Sequence, residues 1–341
     1  MRRAVTSMVF GAALVSLIVV APTSAAPRLD PASGSRTTCP PTTRAVSGGA
    51  CTHGGDDVPS PISRISLRAP TPSGPATQAM CVGNGRNGRR IRVYYGFPND
   101  TASRASTYRS WIRQSIAMAD SNLDAQSPGV GGQHLRMYCK NGRKITVSAI
   151  ALLPIGGDGS YVFGDVLASL LERVTNGLGD ADIDTPRHTY VVFVDNITCC
   201  YGPAGQGTIY YDDRSAPDVN LNNLAAFGPR FAMVEIGGSP FTGSYVFQHE
   251  VGHTIGAVQL SAPHSSGAAH CYTSADIMCY ADGGPYFTGG GSMESVCAPM
   301  PDGQFPFDCQ GGDYYEIAPD TGSYLASFWN TANSGWLTKP G

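Results

Sequence analysis

Two histidines and a glutamate near residue 250 have the spacing of a metal site. They belong to the run His249-Glu250-Val251-Gly252-His253. On a helix, residues four apart lie on one face about one turn apart, so both imidazoles can bind one ion. Neutral imidazole is a good ligand for Zn²⁺. The glutamate beside them can accept a proton from a metal-activated water without binding the metal, which is hydrolase chemistry.

Chance is a poor explanation of this run, because the chain has only 7 histidines in 341 residues. In such a composition we expect the pattern in fewer than about 1% of chains. The alternative explanation is a helix with two hydrogen-bonded histidines and a solvated glutamate. The histidines at His53, His134 and His188 show no ligand spacing, and the chain has no G-x-S-x-G nucleophile elbow.

The residues that follow extend the pattern. Gly256 completes H-E-x-x-H-x-x-G, and a glycine there is expected to take a left-handed conformation that turns the chain toward the metal. Downstream, Asp276-Ile277-Met278-Cys279-Tyr280 is similar to a Met-turn. Together these segments resemble the metzincin zinc peptidases. The stretch from Arg90 to Leu337 also resembles a group of secreted bacterial proteins assigned as zinc peptidases. The resemblance implies a mixed sheet with an active-site helix, zinc as cofactor and peptides as substrates.

The third ligand departs from the metzincin pattern. The family has His or Asp three residues after the glycine, where this chain has Gln259, and a neutral amide is a poor zinc ligand. Insertions before the third histidine are known in the leishmanolysin branch. If Cys271 pairs with Cys279, His270 is tied beside the Met-turn, so we favour His270 as third ligand. His264 and Gln259 are the alternatives.

Tyr280 is a second residue that the resemblance singles out. Astacins and serralysins have a similar Met-x-Tyr sequence, whose phenol approaches the metal. By that resemblance Tyr280 is a candidate for stabilising the oxyanion of the reaction. The alternative is a tyrosine that only packs beneath the site, and Met278 is expected to be a core side chain in either case.

The N-terminus has the pattern of a secretory signal. Arg2 and Arg3 precede the apolar run Met8–Val20, and small residues that follow offer a cleavage site. The run is short for a bilayer span and Pro22 follows it, so we predict that residues 1–26 are a cleaved signal peptide and not a membrane anchor. We therefore expect a secreted, extracellular protein.

Ten cysteines, an even number, agree with export, because an oxidising environment favours disulfides. Short spacings favour the pairs Cys39–Cys51, Cys271–Cys279 and Cys297–Cys309. A pro-segment that offers Cys39 or Cys51 to the metal is an alternative use of the first pair.

Charge and composition restrict the partners. The formal net charge is −3 and charged residues make up 14%, so no strong field favours nucleic acid or an anionic membrane. We expect a protein or peptide substrate, no nucleic-acid partner, and no membrane partner after signal cleavage. The loop carboxylates of Asp302, Asp308 and Asp313 are candidates for Ca²⁺, although solvated acids are the favoured explanation.

Strands and helices alternate before Gly256. We predict strands at Arg90–Tyr95, His134–Cys139, Lys144–Leu153, Thr189–Val194 and Thr208–Tyr211, and helices at Ala102–Ala125, Tyr161–Val174 and Phe247–Ile255, the last capped by Ser244. This order indicates an α/β fold with a mixed sheet, followed by a loop-rich, disulfide-braced C-terminal part. Residues 81–341 are expected to form the catalytic domain. Residues 27–80 are expected to be a low-complexity linker or pro-segment.

The sequence thus predicts a secreted zinc-dependent endopeptidase with Glu250 as general base. One alternative is a catalytically inactive secreted protein that binds metal or another protein, suggested by the departure at Gln259. The other is a zinc hydrolase of a non-peptide amide, such as cell-wall material.

Overall fold

The computed structural model describes residues 39–46, 50–53, 79–126, 132–152, 187–195, 205–224, 230–237, 239–287, 293–295, 297–298 and 304–339. The predicted signal peptide, the predicted helix Tyr161–Val174, Cys199, Cys200 and Asp302 lie outside the described residues.

A five-stranded mixed sheet lies at the centre of the fold. The described strands are β1 (Arg44–Ala45), β2 (Cys51–Thr52), β3 (Arg90–Pro98), β4 (Cys139–Lys140), β5 (Lys144–Ile145), β6 (Val147–Leu152), β7 (His188–Val194), β8 (Gly205–Gly207), β9 (Arg230–Glu235), β10 (Thr273–Ser274) and β11 (Glu294–Ser295). The central sheet has the order β6-β3-β7-β9-β8. Its first four strands are parallel and β8 is antiparallel to β9. The structure thus confirms the predicted α/β fold with a mixed sheet.

Two long helices cover one face of the sheet. The described α-helices are α1 (Ala105–Ala125), α2 (Pro240–Thr254) and the short α3 (Tyr324–Ser327), and Cys309–Gly311 and Thr331–Asn333 form 3-10 turns. Helices α1 and α2 contact each other. Ile116 of α1 and Val251 of α2 are buried in one core with Phe193 of β7 and Val234 of β9. This packing fixes α2 against the sheet.

Local sequence explains the best-defined elements. Every residue of β7 is buried, as expected for a central parallel strand with an almost continuous apolar sequence. Helix α2 begins after Ser239, whose side chain accepts a hydrogen bond from the Thr242 N–H, and Pro240 occupies the first turn. The predicted cap at Ser244 is therefore wrong, since Ser244 lies buried inside the helix.

Two strand predictions are corrected by long-range pairing. Asn141 and Gly142 do form a turn, with φ of 55° and 63°, but the hairpin comprises only β4 and β5. Strand β6 leaves that hairpin and pairs in parallel with β3. The edge strand predicted at Thr208–Tyr211 lies earlier, at Gly205–Gly207, because that segment pairs with β9.

Four disulfides are present among the described residues. The three predicted pairs, Cys39–Cys51, Cys271–Cys279 and Cys297–Cys309, are confirmed, and Cys81–Cys139 adds a fourth. Within the described part of the chain, no helix combines the length and apolar character of a membrane span.

Candidate metal centre

Helix α2 ends in a turn that only glycine allows. Gly256 has a φ of +85°, and its N–H donates to the His253 carbonyl at 2.9 Å. A Cβ at this position would also lie 2.6 Å from Nδ2 of Asn222. The predicted left-handed glycine is thus confirmed. The turn sends the chain away from the helix axis directly after His253, so the following loop can return to the same side of the helix.

His249 and His253 lie on one face of α2, as their spacing predicts. Their Nε2 atoms are 3.1 Å apart, and both side chains are buried. Nδ1 of His249 lies 2.7 Å from the carbonyl oxygen of Ile277. Because a carbonyl only accepts hydrogen bonds, Nδ1 carries the proton and Nε2 keeps its lone pair for a ligand.

His270 joins these two histidines from the loop after α2. Its ring centroid lies 5.2 Å from that of His249 and 5.0 Å from that of His253, and its side chain is buried. Nδ1 of His270 lies 2.9 Å from Oδ2 of Asp282. A carboxylate on Nδ1 makes Nε2 the candidate ligand atom of His270, and such outer partners are typical of metal-binding histidines.

Asp282 is well suited to this supporting position. Burial raises the pKa of its carboxyl, but hydrogen bonds from His270, Ser266 and the Gly284 N–H outweigh burial and bring the pKa below its usual range. The carboxylate is therefore charged at neutral pH and holds His270 with a proton on Nδ1.

The turn Asp276–Tyr280, which the sequence predicts to be a Met-turn, is held by the Cys271–Cys279 disulfide and by Asp276. The carboxylate of Asp276 accepts from the Met278 N–H at 2.8 Å. Met278 lies against α2 at Gly252, where a Cβ would be 2.6 Å from the methionine sulfur. This contact favours glycine in the middle of the helix, since a larger residue there would require the Met278 side chain to move.

The other two candidates for the third ligand are directed elsewhere. Nδ1 of His264 lies 3.0 Å from both carboxylate oxygens of Asp313. The amide of Gln259 donates to the carbonyls of Tyr210 and Gly256, at 3.1 and 2.9 Å. Gln259 therefore supports the turn after α2. Of the three candidates, His270 is the one that the structure brings beside His249 and His253.

A fourth histidine, His53, also lies in this group, and sequence reasoning missed it. Its ring centroid is 4.4 Å from that of His253 and 4.5 Å from that of His270. Ligand nitrogens of His53, His253 and His270 lie within 4.8 Å of one another. We call His53, His249, His253 and His270 the imidazole cluster. His53 shows no ligand spacing in the sequence, because about 200 residues separate it from α2 and only the folded chain brings it there.

Glu250 is fully buried between α2 and the edge strand β8. The two glycines of β8 make room for it, since a Cβ at Gly207 would lie 3.1 Å from Oε2 of Glu250 and 3.0 Å from Cβ of His253. A Cβ at Gly205 would also contact the Glu250 carboxylate. The predicted general base therefore lies next to the imidazole cluster, in a space created by glycine.

Tyr280 lies at the entrance of the cluster. Its ring centroid is 4.3 Å from that of His270 and 6.0 Å from that of His249. A pocket of about 420 Å³ opens there, lined by His53, His270, Tyr280 and Asp282 among others. The predicted catalytic tyrosine thus lies beside the histidines and faces a space that solvent or a ligand can enter.

The two described candidates for a calcium site make hydrogen bonds within the protein. One carboxylate oxygen of Asp308 accepts from the N–H groups of Asp313, Tyr314 and Tyr315. Asp313 accepts from His264. These contacts add no support for a calcium site at Asp308 and Asp313, which stays a prediction.

Comparisons with known proteins do not assign the chain to a family. No protein-family model matches it, and no curated protein is similar to it by the criterion applied. Three imidazoles, those of His53, His253 and His270, have ligand nitrogens close enough together to hold a metal ion. His249 adjoins this group, with its Nε2 3.1 Å from Nε2 of His253.

Proposed function

We propose that this protein is a secreted zinc-dependent peptidase of metzincin type. The observation that carries the proposal is the close approach of three buried imidazoles beside a buried carboxylate. Nδ1 of His249 and of His270 is held by an oxygen acceptor, and Nε2 of His249 lies 3.1 Å from Nε2 of His253. Two nitrogens bound to one tetrahedral zinc ion are about 3.3–3.4 Å apart, close to that separation.

The donor set also favours zinc over harder cations. Neutral imidazoles suit zinc, whereas calcium and magnesium prefer oxygen ligands. His249, His253 and His270 would hold the ion. When bound, zinc supplies a Lewis acid that makes water more acidic and polarises a carbonyl.

The protein groups around the ion have distinct roles in this proposal. Glu250 accepts the proton of the attacking water and returns it to the leaving amine, because it is buried beside the cluster. Tyr280 can donate to the developing oxyanion from its place next to His270. Asp282 keeps His270 oriented through the bond to Nδ1.

Secretion is supported by the four disulfides, which form in oxidising compartments. The signal-like residues 1–26 agree with export, and the low net charge agrees with a protein or peptide substrate.

One observation favours a second candidate function. With His53 in place, the cluster offers four imidazoles, and a four-ligand site has no open position for a substrate. A permanently closed site of this kind would make the chain a metal-binding protein without catalysis.

Glu250→Gln tests the leading proposal. We expect the variant to bind zinc like the wild type but to lose at least about 100-fold in hydrolysis of a peptide library, because a general base contributes that much. Glu235→Gln, at the end of β9, is the matched control and should keep full activity. Each protein is assayed intact and after a cut at a protease recognition sequence inserted between His53 and Ala79, because the ring of His53 lies beside those of His253 and His270. Full activity of Glu250→Gln in either form would contradict the assigned base, and zinc binding without hydrolysis by any form would favour the second function.

A further inference from the structure

Residues 39–46 and 50–53, which we call the N-terminal arm, lie directly on the candidate metal centre. Cys51 and Ile209 exchange two backbone hydrogen bonds of 2.8 Å, so the arm pairs with the chain just after the edge strand β8. The side chain of Gln206 in β8 donates to the Thr52 hydroxyl at 2.8 Å. Thr42 donates to the Gly267 carbonyl at 2.9 Å, in the loop that carries His270.

The arm is a folded unit and not a loose tail. Strands β1 and β2 form a small antiparallel pair, closed by the Cys39–Cys51 disulfide. Cys51 is buried in a small core with Ile209, Tyr211 and Leu260. The last described residue of the arm is His53. Its position is therefore set by the packing of Cys51 in this core and by the backbone pairing with Ile209.

The register of this pairing carries His53 to the metal centre. Cys51 lies opposite Ile209 in antiparallel sense, so two residues further on His53 comes level with Gly207. Gly207 is the glycine whose missing side chain makes room for Glu250 and His253. An extended chain that pairs in this register places its corresponding residue beside the imidazole cluster.

We propose that His53 is the fourth ligand of the zinc ion, and that the N-terminal arm occupies the place of an extended peptide substrate. This inference rests on the proposed function. The ring of His53 lies 4.4 Å from that of His253 and 4.5 Å from that of His270, on the side where the pocket opens. Three protein ligands and an open position are typical of a catalytic zinc site, and four ligands close it. The intact chain is therefore latent.

The covalent structure makes the arm removable. Its disulfide joins Cys39 to Cys51, and both cysteines belong to the arm. The chain between His53 and Ala79 is therefore the only covalent connection between the arm and the residues that follow. A tethered ligand acts at an effective concentration of about millimolar, which a cut abolishes. The arm then binds as a separate peptide and is lost on dilution, which opens the fourth position and the sheet edge together.

The first test measures coordination and does not depend on activity. The protein is loaded with Co²⁺ in place of zinc, and its visible absorption is recorded for the wild type, His53→Ala and the control His264→Ala. We expect His53→Ala alone to change the ligand-field bands and to make them respond to added azide, because a fourth nitrogen is replaced by an exchangeable position. Identical spectra for the wild type and His53→Ala would overturn the assignment of His53 as a ligand.

The second test measures latency. A recognition sequence for a site-specific protease is placed between His53 and Ala79, and peptide hydrolysis is followed before and after the cut. We expect a rise of about 100-fold on cutting and dilution, as expected for loss of a tethered inhibitor. His53→Ala should be active without the cut. Equal activity before and after complete release of the arm would overturn latency.

The two tests separate this inference from the proposed function. If the cobalt spectrum changes in His53→Ala but no form hydrolyses peptides, His53 is a ligand and the peptidase proposal fails. If the uncut wild type is fully active and its spectrum equals that of His53→Ala, the peptidase proposal stands and the role of His53 is refuted.

Discussion

Replacing Asp282 with asparagine should weaken zinc binding by about 10–100-fold, the usual effect of removing an outer partner of a metal-binding histidine. That loss corresponds to about 1.4–2.7 kcal/mol. Oδ2 of Asp282 is 2.9 Å from Nδ1 of His270 and 2.6 Å from the Ser266 hydroxyl, and Oδ1 is 2.8 Å from the Gly284 N–H. An amide provides one oxygen for these three donors, so at least one donor faces an NH₂ group and His270 loses its charged partner.

Asp313→Asn is a matched control for this prediction. Asp313 holds His264 at 3.0 Å in the same way that Asp282 holds His270, but outside the imidazole cluster. Its variant should bind zinc like the wild type. Affinities are measured by competition with a chromophoric chelator at constant pH, and thermal melts confirm that both variants fold. Normal affinity in Asp282→Asn together with weak binding in Asp313→Asn would refute the choice of His270 and point to His264.

Three further predictions follow from single contacts. Gly205→Ala should lower peptidase activity while zinc binding persists, because its Cβ would meet the carboxylate of Glu250. It should also destabilise the fold by about 1–3 kcal/mol, because the same Cβ would lie 2.7 Å from a methyl group of Val246. Gly237→Ala, with no heavy atom within 4 Å of its Cβ, is the control, and equal effects in chemical denaturation would contradict this explanation. Burial raises the pKa of Asp276 to about 7, so its carboxyl stabilises the fold most below about pH 3.9 and this contribution is lost as the pH rises toward 7. Asp276→Asn should therefore lessen the fall in unfolding free energy between about pH 4 and 7, and an unchanged profile would contradict the raised pKa. Replacing both Cys271 and Cys279 with alanine should cost about 2–3 kcal/mol for so short a loop and weaken zinc binding, and an unchanged zinc affinity would show that the bridge does not position the third ligand.

The helices and strands whose own residues show a clear pattern could be predicted from the sequence. Helix α2 was expected from its histidine spacing and the glycine after it, and β7 from an almost unbroken apolar run. His270 was favoured because a nearby cysteine pair could tie it to the Met-turn, and the structure places it beside His249 and His253. Each of these inferences uses residues fewer than about 30 positions apart.

The features that depend on distant pairing were not predictable. Strand β6 leaves its hairpin partner for β3, and nothing in its own sequence selects that neighbour. His53 is the clearest case, since its place depends on the bridge between Cys51 and Ile209 and on the disulfide that shapes the arm. Such contacts are set by tertiary packing, which spacing along the chain does not encode.

The start of α2 shows a smaller error with a local cause. Ser244 and Ser239 are both plausible caps by residue type. Ser239 is followed by Pro240, and proline is favoured at the first position of a helix, so the helix begins there. Because the N-cap lies five residues earlier than expected, Phe241 and Tyr245 belong to the helix, and both are buried in the main core.

In the proposed peptidase, one zinc ion binds between the imidazoles of helix α2 and His270. Crystals of the protein grown with zinc are measured on both sides of the zinc absorption edge. We expect one strong anomalous peak within about 2.0–2.1 Å of Nε2 of His249, His253 and His270. A peak at His264 and Asp313, or no peak at the cluster in a fully folded, zinc-saturated protein, would contradict it.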